Sequence, residues 1–405
     1  MTGDLLVAVS ETSRKISVLI VTPYFQPAWG YGGPVRSVWN LARGLVYAGA
    51  EVEVVTTDAD PLGKVEVPSI RKEEGVSIRT FPRLFRSIPN VKTYYFASGL
   101  SRYLEERIPA ADIVHAQGLY VFPTYISSRK CGGHAKPFVI SLRGSLGQWG
   151  LRQKAFKKQI YIHLVEKKSL GLSSSVHYTL HSEQDEAPDW AKSLPHTVVP
   201  NGIEFEPLSD GTSWRKKFEF PEGEYVIGMI GRIHPKKGIL ILLEAMARIV
   251  DNHPVRLAIV GDGEAHDVRK TQEDVQRLGL GKYVTFTGLL SHKDVTEAYA
   301  AIDLLALPSQ EENFGNVVIE ALAQNTPVAI SPHVGLASWI SEKNLGHVIP
   351  QNPEDWSEFL TALPEKRPDK ARNLRTIAED HFDYRKVGRR MLEAYRNIIL
   401  TSHRS

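Results

Sequence analysis

Short unbroken apolar runs constrain this chain more than any other feature: "VLIV" at 18–21, "LAIV" at 257–260 and "LLAL" at 304–307. A strand with one wet face alternates apolar and polar residues. A strand that is apolar throughout is buried on both faces, as in a parallel sheet covered by helices on each side. β-rich runs of this kind fall at 16–22, 51–58, 77–82, 112–117, 138–143, 176–181 and 196–200. They resume at 225–230, 256–260, 284–287, 303–307, 327–331 and 346–349. The gaps leave room for crossover helices, for example 34–48 and 238–250. The pattern is that of a doubly wound α/β fold, seen twice.

A length of 405 residues suits two such domains. The turn-rich stretch "VVPNGIEFEPLSDG", 198–211, is the expected joint. We therefore expect a first Rossmann-like domain over 1–201 and a second over 202–383. A last helix, 384–405, carries an apolar face of Val387, Met391, Tyr395 and Ile398 or Ile399 and must dock somewhere; the sequence does not say on which domain, and a return to the first is one candidate.

Composition excludes several classes. A single cysteine, Cys131, rules out an intramolecular disulfide framework and fits a reducing compartment. No run approaches the roughly 18 apolar residues of a membrane span, and the N-terminus lacks the basic start of a signal peptide. The expected location is cytoplasmic. Residues 1–200 hold about 24 Lys+Arg against about 17 Asp+Glu, while the remainder is net acidic. A basic half implies that one half meets something anionic.

In an open parallel sheet ligands bind beyond the carboxyl ends of the strands. In the second half those ends carry "GRIHPKKG" with Arg232 and Lys237, "GDGE" with Gly263, "GLLS" with Gly288 and Leu289, and "PSQEENFGN" with Glu312, Phe314, Gly315 and Asn316. A helix beginning near Asn316 then carries Glu320. Arg and Lys neutralise a pyrophosphate, glycines admit close backbone approach, and a helix N-terminus offers unpaired N–H groups to an anion. A carboxylate such as Glu320 can accept both hydroxyls of a ribose diol. Asn316, Glu320 and Gln324 also form one polar helical stripe, which solvation alone would explain.

With "LAIVGDGE", "VTFTGLLS", "EENFGNVVIEALAQNTPVAIS" and "VVPNGIE" beside the "GRIHPKKGILILLEAM" segment, the chain resembles glycosyltransferase family 4 (group 1). These are retaining, nucleotide-sugar-dependent enzymes of the GT-B fold, in which two Rossmann-like domains face a central cleft. The resemblance implies that Glu320 holds the ribose, that Glu312 and the backbone at Phe314–Asn316 hold the donor sugar, and that Arg232 and Lys237 hold the diphosphate. It implies that the turn at Leu289 contacts the base and that Gly263 lies on the donor side. It also implies that no cofactor or metal is needed, with a UDP-sugar favoured over a GDP-sugar.

The first half carries weaker counterparts. Gly32 and Gly33, in "TPYFQPAWGYGGPVRSV", open a helix and by resemblance approach the donor phosphate or the acceptor. His115, in "DIVHAQG", matches a family position near the transferred sugar, while Gln117 stands where the family often has a second histidine. "SLRGSLGQWG", 141–150, resembles a sub-branch of bacterial polysaccharide transferases. Asp58 and Asp60 form a D-x-D pair, a metal motif in the other large transferase architecture, and are read here as a loop.

The expected activity is transfer of a hexosyl group from a nucleotide diphosphate sugar to an acceptor hydroxyl. The acceptor would be a sugar or lipid-linked sugar in bacterial-type cell-surface polysaccharide or glycolipid synthesis. Residues 146–170 mix Arg152, Lys154, Lys157, Lys158, Lys167 and Lys168 with Trp149, Phe156, Ile160 and Leu164. Such a segment suits peripheral contact with an anionic inner membrane face, or equally a core-facing helix with a solvated basic side. No nucleic-acid module is present. The alternatives are a sugar phosphorylase or epimerase of the same fold, or a silent nucleotide-sugar-binding protein.

Overall fold

The computed structural model describes residues 14–402 apart from 62, 89–90, 148–160, 254 and 364–372. The first sheet contains β1 (Ser17–Val21), β2 (Glu51–Thr57), β5 (Ile70–Glu73), β6 (Val76–Phe81), β7 (Ile113–Gln117), β8 (Phe138–Ser141), β9 (Ser175–Tyr178) and β10 (His196–Val198). Its order is β10-β9-β8-β7-β1-β2-β6-β5, parallel except for β5 against β6. β3 (Ala59–Asp60) and β4 (Gly63–Lys64) form a separate small antiparallel ribbon. β1, β7 and β8 are buried at every position, as their sequences require.

The second sheet contains β11 (Val226–Ile230), β12 (Arg256–Val260), β13 (Val284–Gly288), β14 (Leu304–Leu307), β15 (Val328–Ile330) and β16 (Gly346–Val348), in the order β13-β12-β11-β14-β15-β16 and parallel throughout. Each expected strand is present to within a residue or two, except that β9 ends at Tyr178, three residues before the expected 181. β5, with the polar sequence IRKE and mostly at the surface, has no apolar run and escaped the sequence reading.

Each sheet reverses its winding once, between β1 and β7 in the first and between β11 and β14 in the second. Loops leaving these strands diverge to opposite faces and open a crevice at the strand ends. The two crevices face each other.

Past Phe382 the chain returns to the first half. The helix Tyr384–Ser402 buries Val387, Met391, Leu392, Tyr395 and Ile398 in the same core as Val18, Ile20, Leu41 and Leu45. It crosses the helix Gly33–Tyr47 where Gly388 meets Gly44. A Cβ on Gly388 would lie 2.1 Å from the Gly44 carbonyl carbon. The outward and return crossings run side by side. Ile203 donates its N–H to the Phe382 carbonyl at 2.8 Å, and Tyr384 donates to the Ile203 carbonyl at 3.0 Å.

Of the basic segment 146–170, residues 148–160 fall outside the described residues. The end of that segment is helical and includes a π-helical turn, Ile162–Glu166. Ile162 and Glu166 point inward and Leu164 is exposed. The Glu166 carboxylate accepts the Tyr120 N–H at 2.8 Å, and burial raises its pKa to about 7. Among the described residues no helix is long and apolar enough to cross a membrane.

Candidate active site

The facing crevices merge into a cleft of about 670 Å³. From the second half it is lined by Arg232, Lys237, Leu289, Glu312, Phe314, Gly315, Asn316 and Glu320, and from the first half by Gly32 and Gly33. These residues are therefore brought together from both sheets. Gly263 and His115 are not among the lining residues.

The second-half wall follows from local folding. β11 ends at Ile230, and the loop beyond it places Arg232 and Lys237 at the crevice. β14 ends at Leu307, and its loop delivers Glu312 and the helix Asn316–Ala323. That helix starts from Gly315 at φ +91°, in the left-handed region that favours glycine, and a Cβ there would lie 2.9 Å from Val334 Cγ1. Val318 donates its N–H to the Gly315 carbonyl at 2.9 Å, and Asn316 and Val317, whose N–H groups precede the first intrahelical acceptor, line the cleft. Gly263 has a packing role instead: a Cβ on it would meet the Ile233 carbonyl oxygen at 2.2 Å, so its smallness lets the loops after β11 and β12 run together.

The charges are already ordered. The Lys237 ammonium is ion-paired with Glu312 and Lys236 with Glu311. The Glu312 backbone donates to the His333 carbonyl and its own carbonyl accepts from Gly335. Tyr299 donates its hydroxyl to Glu320 Oε2 at 2.6 Å, while Glu320 Oε1 lies 3.7 Å from Arg36 of the first half. Burial and the Glu320 charge both hold the Tyr299 pKa well above the usual phenol value. Further bonds join the walls. Arg232 donates to the Gly30 carbonyl at 3.2 Å, Asn316 to the Gly33 carbonyl at 3.3 Å, and Asn201 to Asn316 Oδ1 at 3.1 Å.

His115 corrects the sequence reading. It lies on β7 with none of its surface exposed. Its Nδ1 is bonded to the Tyr395 hydroxyl at 2.5 Å and its Nε2 to Ser141 Oγ at 2.7 Å. Ser141 Oγ continues to His177 Nδ1 at 2.6 Å, and His177 Nε2 donates to the Val199 carbonyl. Burial lowers the pKa of both imidazoles, that of His177 to about 3. The chain of bonds ties the last helix to the middle of the first sheet and presents no His115 atom to the cleft. Asp58 is also engaged internally, by Arg83 at 3.3 Å and Arg86 at 2.5 Å, which fits a structural loop.

The structure adds residues that the sequence did not single out: Arg36, Ser37, Arg143, Asn201 and Tyr299 line the same cleft. Arg143 follows β8 directly, and a cation just past a strand end was the available signal.

Comparison with known proteins gives the family. Residues 210–381 match the family "Glycosyl transferases group 1", and residues 32–202 match "Glycosyl transferase 4-like domain". A D-inositol 3-phosphate glycosyltransferase of Stackebrandtia nassauensis is 30% identical over 393 residues, covering 91% of this chain and 87% of that protein. The chain belongs to the group 1 glycosyltransferases.

Solved structures similar to the transferase give its fold as GT-B. Sucrose-phosphate synthase from Thermosynechococcus elongatus superposes with a TM-score of 0.75 at 22% identity, covering 96% of this chain and 100% of that one. HepE of Anabaena, solved in complex with UDP-glucose, gives a TM-score of 0.71 at 19% identity over 94% and 100% of the two chains.

Proposed function

We propose that the transferase moves a hexosyl group from a nucleoside diphosphate sugar to an acceptor hydroxyl, with retention of configuration and without a metal ion. The observation that carries this reading is convergence. Arg232, Lys237 and the N-terminus of the helix Asn316–Ala323 meet Glu312 and Glu320 in one cleft, although they come from separate strands. A UDP-sugar is the donor favoured over a GDP-sugar, and the UDP-glucose found in HepE supports that choice.

The chemistry follows from where charge develops. As the bond from the sugar to the diphosphate lengthens, negative charge grows on the leaving oxygens and positive charge on the ring. Arg232, Lys237 and the helix N–H groups lie where a leaving diphosphate would be met by fixed positive charge, which costs no reorganisation as the bond breaks. Glu312, paired with Lys237, accepts hydrogen bonds from the sugar hydroxyls and is not assigned as a nucleophile. The departing phosphate oxygen takes the proton of the attacking hydroxyl on the face it leaves, which preserves configuration. Glu320, with Oε2 held by Tyr299, offers Oε1 to the ribose diol.

The acceptor is proposed to be a sugar or lipid-linked sugar of cell-surface polysaccharide or glycolipid synthesis. Peripheral contact with an anionic membrane through residues 146–170 is part of the proposal, supported by exposed Leu164 and Lys168 at the described end of that segment. The central reading is tested by calorimetric titration of UDP into wild type and Glu320→Ala. The variant is expected to bind about 10- to 100-fold more weakly, the range for losing hydrogen bonds to a charged group. Equal affinities would remove Glu320 from the nucleotide site.

A further inference from the structure

The wall opposite the donor cations holds a guanidinium whose hydrogen-bond partners are all neutral. Arg143 lines the cleft. It donates from Nε and Nη2 to Gln117 Oε1 at 3.0 and 2.8 Å, and from Nη1 to Ser37 Oγ at 2.9 Å and Asn201 Oδ1 at 2.8 Å. Among the described residues no carboxylate lies in ion-pairing distance of it. The nearby Glu183 carboxylate instead accepts the N–H groups of Gly144 and Thr179 and the Thr179 hydroxyl. Burial lowers the Arg143 pKa, yet a guanidinium stays protonated in proteins. The residue also sits at φ +53°, a left-handed conformation that costs a side-chain-bearing residue free energy. Backbone strain of this kind gathers at functional positions.

Gln117 makes the arrangement pointed. It is 3% exposed, and its Nε2 has no hydrogen-bond partner among the described residues. Only the amide oxygen is used, to hold the guanidinium edge. A glutamate would fit the same space, lose no hydrogen bond and give Arg143 a bidentate ion pair. The amide orients the guanidinium and leaves its charge uncompensated, with one Nη2 proton unassigned. A positive charge held this way in a partly dry cleft attracts an anion more strongly than a paired one.

We propose that Arg143, oriented by Gln117, Ser37 and Asn201, binds a phosphate group of a substrate from the first-half wall of the cleft. The proposal deepens the glycosyltransferase reading above and rests on it for the identity of the cleft. Two sources share this chemistry: the donor diphosphate, approached from the side opposite Arg232 and Lys237, and a phosphate carried by the acceptor. Asn201 links Arg143 to Asn316 at the head of the donor-side helix, so either phosphate is within the same network.

The test uses Gln117→Glu, which supplies the missing carboxylate without removing the arginine. Calorimetry compares wild type and variant for UDP, and then for inorganic phosphate added to protein with and without saturating UDP. Thermal melting is recorded alongside. The variant should melt no lower than wild type. A 10- to 100-fold loss of UDP affinity assigns Arg143 to the donor diphosphate. Unchanged UDP binding with loss of phosphate uptake assigns it to the acceptor. Arg143→Lys, which keeps the charge but not the fork, should retain part of whichever affinity is lost. A folded Gln117→Glu protein that matches wild type in every titration overturns the proposal. A wild type that takes phosphate but no UDP instead sinks the donor reading and leaves Arg143 as an anion site.

Discussion

The two halves of the transferase share an architecture but place their polar groups differently. In the second half the charged chemistry sits on loops past the strand ends: Arg232 and Lys237 after β11, Glu312 after β14, and Glu320 one helical turn further on. In the first half much of it lies inside. His115, Ser141 and His177 form a chain of hydrogen bonds through the sheet to Tyr395, and Arg143 is held by side chains from β7, the first helix and the interdomain joint. Neither wall is local in sequence: Lys237 reaches Glu312 across 75 positions and Arg143 reaches Ser37 across 106. The difference lies in burial. Donor-side charges on partly exposed loops can be removed with the fold kept, whereas the buried first-half network, which reaches 280 positions to Tyr395, couples its polar groups to the fold.

The largest expected effect tests the first of these statements. Lys237→Ala should lower turnover by about 10²–10³, by analogy with removing one preorganised donor at a developing oxyanion. Its melting temperature should stay close to that of wild type, because Lys237 sits on a loop and its ion pair with Glu312 is partly exposed. Steady-state kinetics with denaturation curves checks both. A large drop in stability would show that the donor wall is coupled to the fold after all.

The next effect falls on the first half. Its core is completed by the last helix, which approaches closely only because Gly44 and Gly388 carry no side chain. Gly388→Ala places a methyl group against the Gly44 backbone and should destabilise by about 1–3 kcal/mol, as overpacking does. Urea unfolding measures it. An unchanged midpoint would mean that the two helices separate at little cost, and that the first half does not depend on this long-range packing.

What was legible in the sequence follows the same division. The strands were legible because burial on both faces writes an apolar run into consecutive positions, and β5 was missed because an exposed edge strand carries no such run. The cleft positions of Arg232, Lys237 and Glu312 were legible because loops past strand ends line the crevice, and that of Glu320 because the helix following the β14 loop starts at the same crevice. His115 was misplaced because a histidine in an apolar run reads the same whether it faces a ligand or a buried serine. Only the Ser141 and Tyr395 contacts decide it, and neither is near in sequence. Arg143 carries little signal in the sequence, since its meaning lies in the neutrality of Gln117, Ser37 and Asn201 around it.

The smallest expected effect is a pH dependence confined to the first half. The only histidines buried among the described residues are His115 and His177, both on the first sheet, and burial pushes both pKa values down, that of His177 to about 3. In the unfolded chain an imidazole takes up its proton near pH 6.5. Below that point the unfolded state binds more protons than the folded one, so stability is full above about pH 6.5 and falls as the pH drops toward the folded value. One unit below the free value, each neutral imidazole costs about 1.4 kcal/mol. His177→Gln can keep a donor for the Val199 carbonyl and an acceptor for Ser141, but it has no proton to take up. The stability lost between pH 7.5 and 5.5 should therefore be smaller in the variant by about 1.4 kcal/mol. Hydrogen exchange then separates the halves. After correction for intrinsic rates, amides of β8 and β9 should lose protection on acidification in wild type and keep more of it in the variant. Amides of β11 and β14 should respond alike in both proteins. Equal protection loss in the two sheets would place the acid-sensitive groups outside the buried imidazole chain and erase the contrast between the halves.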